Sequence, residues 1–134
     1  MPFTLGGTTL DFDDHFLVVD DSGAVDPGPI PIDTRARRLC TILHASHPES
    51  HIHLAIATTE PAFQFYTGRY IDVPEVKGSH GEIVPARGKM AGFCVEPSRY
   101  TDAVHDPKHV GMVTLKKGEK YGARILYRAW GEEQ

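Results

Sequence analysis

The chain of 134 residues lacks several features that mark particular classes of protein. No apolar run approaches the roughly 20 residues that a membrane-spanning helix needs. It has only two cysteines, Cys40 and Cys94, without the close spacing of a zinc or redox motif, so we expect free thiols packed in the interior and a reducing compartment. Residues 1–12 lack a basic segment followed by an apolar one, which predicts no signal peptide. These absences favour a soluble cytoplasmic protein with no membrane partner.

Basic residues are missing from the first quarter of the chain. Residues 1–34 carry seven aspartates and no lysine or arginine, whereas residues 35–134 carry 14 basic and 11 acidic residues. The lysines and arginines are scattered along the sequence, unlike the clustered basic residues of a nucleic-acid-binding surface. We therefore expect a solvated acidic segment and no nucleic-acid partner.

Helical periodicity is also missing, because no window of about 11 residues repeats its apolar positions with a period near 3.6. Short segments with alternating or β-branched residues, separated by turn signals, predict an all-β protein of antiparallel strands with little helix. We expect a single domain over residues 1–134, in which the Gly- and Pro-containing segment 73–89 is a long loop excursion. The predicted strands lie at 15–20, 39–46, 51–60, 63–71 and 90–98, and a further pair within 112–130 meets at a turn at Lys117–Gly118.

Histidine is abundant, with eight in the chain. His51 and His53 share one face of a predicted strand, and His44 and His47 lie near the end of another. A structural zinc site needs four nitrogen or sulfur ligands in closed tetrahedral geometry, and these positions supply three at most without help from distant residues. We therefore expect no metal site.

Two carboxylates stand at the ends of predicted strands. Glu96 ends an apolar strand just before Pro97, where partial desolvation would raise its pKa and suit it to proton transfer near neutral pH. The alternative is a structural ion pair between Glu96 and a neighbouring arginine, such as Arg99. Asp13, beside Asp14, has the residue type that binds sugar hydroxyls or a cation, and equally the type found in a polar loop.

Gln64 lies in an aromatic-rich strand, between Phe63 and Phe65. An amide beside aromatic rings is a common way to hold a hydroxylated ligand, because the amide bonds hydroxyl groups while the rings cover the apolar face. The same pattern is found where the edge of a sandwich meets water. The local sequence leaves both interpretations open.

Four stretches of the chain resemble the aldose 1-epimerase, or galactose mutarotase, family. They are LDFDDHFLV (10–18), TTEPAFQFYTG (58–68), GFCVEPSRY (92–100) and DAVHDPKHVGMVTLKKGEKYGARILYRAW (102–130). They occur in the order expected for the C-terminal part of such an enzyme, and the last two are similar to fungal members.

The resemblance implies part of a galactose-mutarotase-like β-supersandwich. It implies an isomerase that interconverts the α and β anomers of a free hexose, such as glucose or galactose, by acid-base ring opening without a cofactor. Glu96 matches the catalytic base of the family. Asp13 and Gln64 match residues that bind the sugar, with Asp14 as a rival for Asp13.

The acid of the family is a histidine in the N-terminal half, and no histidine in this chain matches its surroundings. We therefore expect this chain to hold the base and part of the sugar site, and its activity alone is an open question. Strands that pair with upstream partners in the family would become exposed edges here, which predicts either a homodimer or a complementary N-terminal chain. The alternatives are a non-catalytic carbohydrate-binding β-sandwich and a truncated half of a mutarotase.

Overall fold

The computed structural model describes residues 4–5, 11–20, 22–26 and 28–131. Within these ranges the regular structure is β-strand apart from two three-residue 3-10 turns, Ala103–His105 and Val110–Met112, so the predicted all-β fold with little helix is confirmed. No helix in the described residues is long and apolar enough to cross a bilayer. The strands are β1 (Asp13–Leu17), β2 (Cys40–His47), β3 (Ile52–Thr58), β4 (Ala62–Tyr66), β5 (Val76–Lys77), β6 (Ile83–Val84), β7 (Cys94–Ser98) and β8 (Ile125–Gly131).

The strands form three small sheets, with the orders β1-β4-β7, β2-β3-β8 and β5-β6. In the second sheet β3 is antiparallel to both neighbours: Ile52 lies opposite His47 of β2 and opposite Gly131 of β8. Ile56, in the middle of this central strand, is 1% exposed. The strand predicted at residues 51–60 is therefore present as β3, and its C-terminal end is buried.

The contacts within the chain divide it into two compact units. We call residues 1–14 and 64–96 the first unit, and residues 15–63 and 97–134 the second unit. In the second unit a core cluster of Ile30, Ala103 and Met112 is covered by Tyr100. That residues 1–134 fold as a single domain stays a prediction.

Residues 73–89 belong to the first unit and are nearly all exposed. They contain the two-stranded sheet of β5 and β6, in which Val76 lies opposite Val84. Val73 and Arg87 bridge the base of this segment through two reciprocal backbone hydrogen bonds of 2.8 and 2.9 Å. The excursion is thus a short hairpin closed at its base.

The strand predicted at the start of residues 112–130 is wrong. Val110–Met112 is a 3-10 turn, in which the Met112 N–H donates to the His109 carbonyl at 3.0 Å, and the next strand begins only at Ile125. Met112 is 2% exposed and belongs to the core cluster. Burial of this side chain selected the turn over the extended conformation that the residues Met112–Leu115 favour locally.

Both thiols are free, but interior packing was the wrong prediction for Cys94, which is exposed; Cys40 is half-buried. Successive side chains of a strand point to opposite faces, and Val95 occupies the buried position next to Cys94. Cys94 therefore lies on the accessible face of β7.

Candidate functional site

Asp13 and Gln64 are in direct contact in the first unit. The Gln64 Nε2 donates a hydrogen bond to the Asp13 Oδ1 at 2.8 Å, and the two residues lie on the neighbouring strands β1 and β4. Asp13 is exposed and Gln64 is half-buried. A carboxylate and an amide that share one hydrogen bond retain further acceptors and a further donor. The pair can therefore bind a hydroxylated ligand.

All three predicted site residues lie on the same face of the sheet formed by β1, β4 and β7. Phe65 of β4 contacts two rings of the first unit at centroid distances of 5.4 and 5.9 Å, and these rings are Phe12 and Phe93. Successive side chains of an extended chain point to opposite faces. A residue one or three positions from one of these phenylalanines therefore lies on the face opposite the rings. Asp13, Gln64 and Glu96 are such residues.

The Glu96 carboxylate is exposed on β7, next to the buried Val95. The predicted partial desolvation of Glu96 is therefore not found. Within the part of the chain that the structure describes, no residue forms an ion pair or hydrogen bond with this carboxylate. The alternative pairing with Arg99 is also wrong, because the Arg99 Nε lies 3.1 Å from an oxygen of Glu60 instead. The Glu96 side chain is therefore accessible to solvent.

A second polar cluster of the first unit joins the beginning of β1 to the end of β4, and sequence reasoning missed it. The Thr67 Oγ1 donates to the Asp11 Oδ1 at 3.1 Å, and accepts a hydrogen bond from the Phe12 N–H at 2.9 Å. The Arg69 Nε lies 3.0 Å from the other oxygen of Asp11. The pairing of β1 with β4 brings these residues together, and no local sequence pattern predicts this contact. The cluster holds the chain on either side of the Asp13–Gln64 contact.

Gly68 continues this support where β4 turns away from the sheet. Its φ of +78° is in the left-handed region, and a Cβ atom here would lie 2.5 Å from the Gly92 carbonyl oxygen. The Gly68 carbonyl accepts a hydrogen bond from the Met90 N–H at 2.9 Å. Glycine at position 68 thus allows the segment before β7 to approach the end of β4 closely.

Asp14, the alternative to Asp13, is exposed and is adjacent to it on β1, so it lies on the other face of that strand.

Among the described residues no group of three or more His, Cys, Asp or Glu side chains is arranged to hold a metal ion. In the second unit, His53 stacks on Trp130 with a centroid distance of 5.2 Å and His44 lies 5.6 Å from the same indole. These two histidines therefore pack as rings.

The sheet of β1, β4 and β7 thus presents carboxylates to solvent on one face. Comparison with known proteins shows the family to which the chain belongs. The family model described as aldose 1-epimerase matches residues 4–128. The chain belongs to the aldose 1-epimerase family.

Individual relatives agree with this assignment. The chain is 37% identical over 99 residues to "Bifunctional protein GAL10" of Kluyveromyces lactis, covering 74% of this chain and 13% of that protein. It is 33% identical over 124 residues to "Bifunctional protein gal10" of Schizosaccharomyces pombe, covering 92% and 15%. It is 36% identical over 96 residues to "Galactose mutarotase" of Rattus norvegicus, covering 72% and 26%. The matched region thus spans between about an eighth and a quarter of each of these relatives.

Proposed function

We propose that this chain provides the base and part of the sugar-binding surface of an aldose 1-epimerase, which interconverts the α and β anomers of a free hexose. Membership of the family and the relatives named galactose mutarotase support a sugar as the substrate. Glu96 is the base, and Asp13 and Gln64 bind the hydroxyl groups of the sugar.

One observation carries the assignment of these roles. The carboxylate of Glu96, which forms no hydrogen bond or ion pair with any described residue, lies on the same sheet face as the hydrogen-bonded pair of Asp13 and Gln64. Asp13 and Gln64 offer donors and acceptors that fix the ring through its hydroxyl groups. A sugar held on this face presents its edge to Glu96, the one exposed carboxylate that β7 contributes there.

The chemistry needs a base and an acid. The Glu96 carboxylate removes the proton of the hydroxyl group at C1, the bond between C1 and the ring oxygen breaks, and an acid protonates that oxygen. Rotation about the C1–C2 bond and reclosure then give either anomer. A single positioned proton-transfer group typically contributes on the order of 10²–10⁴-fold to the rate. The base alone therefore gives partial acceleration, and the acid comes from a residue that the sequence does not identify in this chain.

The second candidate is a carbohydrate-binding protein without catalysis. It is favoured by the absence of a histidine that matches the acid of the family, while the Asp13–Gln64 pair would still bind sugar. This candidate predicts sugar affinity without any acceleration of anomer exchange.

Polarimetry of freshly dissolved α-glucose and α-galactose distinguishes the two candidates. We expect the purified chain to accelerate the change in rotation, and Glu96→Gln to remove the acceleration while sugar affinity is retained. Glu82→Gln is the matched control, because Glu82 is an exposed glutamate of the same unit on the β5–β6 hairpin.

Full acceleration in Glu96→Gln would refute Glu96 as the base. Sugar binding without acceleration in the unmodified chain would favour the non-catalytic candidate. In that case, acceleration that appears when the remaining part of an aldose 1-epimerase is added would restore the catalytic proposal for the assembled protein.

A further inference from the structure

The second unit contains a cleft of about 340 Å³ that is separate from the residues assigned above. Its volume falls at the lower end of the range of about 300–1,000 Å³ typical of small-molecule sites. Its apolar wall includes Val18 and Pro61, and its polar wall includes Asp26, Arg37 and Thr59. A mixed lining of this kind orients a small ligand through a few polar groups while the apolar wall excludes water.

The charges around the cleft balance. Three carboxylates and two guanidinium groups line it, and a third guanidinium group lies outside the lining and pairs with one of these carboxylates. The carboxylates are those of Asp20, Asp26 and Glu60, and the guanidinium groups are those of Arg37, Arg38 and Arg99, the last behind Glu60. Arg37 Nη2 lies 2.9 Å from the Asp26 Oδ2, and Arg37 Nη1 donates to the Thr59 carbonyl at 3.4 Å. A cation would meet the guanidinium groups and an anion the carboxylates, so the balanced set favours a neutral ligand with many hydroxyl groups.

Hydrogen bonds keep two carboxylates of the cleft, those of Asp20 and Asp26, in the charged form at neutral pH. Hydrogen bonds from Ser22 and Ala24 lower the pKa of Asp20, and hydrogen bonds from the Gly28 N–H and from Arg37 lower the pKa of Asp26. These two carboxylates therefore act as acceptors for ligand hydroxyl groups across the neutral range.

Tyr100 gives the cleft a rigid ring. It packs on the core cluster of the second unit and contacts His109 edge to face, with a centroid distance of 5.0 Å. Burial raises the pKa of its phenol, so the hydroxyl group stays protonated and can donate. An aromatic face beside hydroxyl-binding groups matches the apolar face and the polar edge of a sugar-like ring.

We propose that this cleft is a second binding site, which takes a neutral polyhydroxylated ring of monosaccharide size. The ring lies against Tyr100, and the Arg37–Asp26 pair bonds its hydroxyl groups. The site lies in the second unit and does not depend on the roles proposed for Asp13, Gln64 and Glu96.

The test is a titration of the isotope-labelled full chain with methyl glucoside and methyl galactoside, followed by the shifts of backbone amides in NMR spectra. These glycosides are neutral and cannot open their rings, so no turnover accompanies binding. We expect saturable shifts at Val19, Thr59 and Tyr100, and no saturable shifts at these amides with inorganic phosphate or tetramethylammonium. Binding at the Asp13–Gln64 pair of the first unit is read separately, from the amide of Gln64.

Two variants test whether the glycosides bind in the cleft. Arg37→Met should weaken affinity about tenfold, as expected for a lost charge-assisted hydrogen bond, and Tyr100→Phe about fivefold through loss of its hydroxyl group. Arg35→Met is the matched control, because Arg35 forms an exposed ion pair with Asp33 nearby in the same segment but outside the cleft.

The absence of saturable shifts at the cleft amides would overturn the proposal, as would stronger binding of phosphate than of either glycoside. Unchanged affinity in a folded Arg37→Met variant would do the same. If Arg37→Met does not fold, Tyr100→Phe decides, because it keeps the ring and removes only the hydroxyl group.

Discussion

The Arg99 Nε lies 3.1 Å from the Glu60 Oε2, and both side chains are almost fully buried, with exposures of 9% and 1%. These two atoms make a charge contact and not an aligned hydrogen bond. The Arg99 guanidinium also donates to the carbonyls of Pro31 and Ile32 at 3.1 and 2.8 Å, and the Glu60 Oε1 accepts from the Tyr121 hydroxyl at 2.8 Å. These neighbours satisfy most of the polar groups that the pair buries.

Replacing one partner of this pair should destabilise the protein strongly. Arg99→Met leaves the Glu60 carboxylate buried without its counter-charge, which typically costs about 3–5 kcal/mol. Urea unfolding followed by circular dichroism measures the loss. The double variant Glu60→Leu/Arg99→Met should recover much of it, because no buried charge then remains. Arg35→Met, which breaks an exposed pair, is the control and should change stability little. A similar small effect for Arg99→Met would refute a structural role of the Glu60–Arg99 pair.

Ionisation of the Tyr121 hydroxyl should lower the free energy of unfolding at alkaline pH. Burial and the hydrogen bond to the Glu60 carboxylate raise the pKa of Tyr121 above the usual value of 10.0. A group whose pKa is raised on folding contributes stability below the unfolded pKa, and this contribution is lost as the pH rises through the folded pKa. We therefore expect the urea midpoint to fall above pH 10.

Tyr121→Phe should remove part of this alkaline dependence, and ultraviolet titration of phenolate formation should lose one late-titrating group. Tyr70→Phe is the control, since Tyr70 is 75% exposed. An alkaline profile of Tyr121→Phe identical to that of the unmodified chain would show that this hydroxyl group does not contribute.

Gly68→Ala should destabilise the first unit by about 2 kcal/mol or more. The backbone at Gly68 is in the left-handed region, and the added Cβ would meet the Gly92 carbonyl oxygen at 2.5 Å and the Ile71 Cδ1 at 2.7 Å. Thermal unfolding measures the change. Gly88→Ala is the control, because a Cβ there meets nothing within 4 Å. Equal melting temperatures for the two variants would contradict the close approach of Gly68 to Gly92.

Asp13 and its neighbour Asp14 give a matched pair of variants for testing the proposed sugar site. Asp13→Ala should weaken the affinity for galactose about tenfold, because it removes a charged acceptor and the partner of Gln64. Asp14→Ala should leave the affinity nearly unchanged, because Asp14 lies on the opposite face of β1. Equilibrium titration followed by amide shifts measures both. A larger loss in Asp14→Ala would transfer the role to Asp14.

Local pattern was sufficient to predict most of the strands. Strands are predicted at residues 39–46 and 51–60, and the structure has the antiparallel strands β2 and β3 there. The strand at the end of 112–130 was predicted and the one before it was not found. Alternation and turn residues act over a few positions, so strands can be predicted from them in the local sequence. The turn at Val110–Met112 accompanies burial of Met112 in a core cluster that includes the distant Ile30, and the local sequence does not reveal that contact.

The partner of Arg99 illustrates the same limit. Sequence proximity suggested Glu96, but residues three apart in extended chain lie on opposite faces, and the structure pairs Arg99 with Glu60. The approach of Asp11, Thr67 and Arg69 was likewise invisible in the sequence, because 56 positions separate Asp11 from Thr67.

Alternation and family motifs were enough to predict the β-class, the family and the residues that we propose for the base and the sugar contacts, because these signals are properties of short segments. The structure was needed to find the contact of Gln64 with Asp13 across 51 positions, the exposure of Glu96 and the cleft of the second unit. The reason is that strand order and burial arise from contacts between distant segments. These contacts fix the partner and the accessibility of each polar side chain.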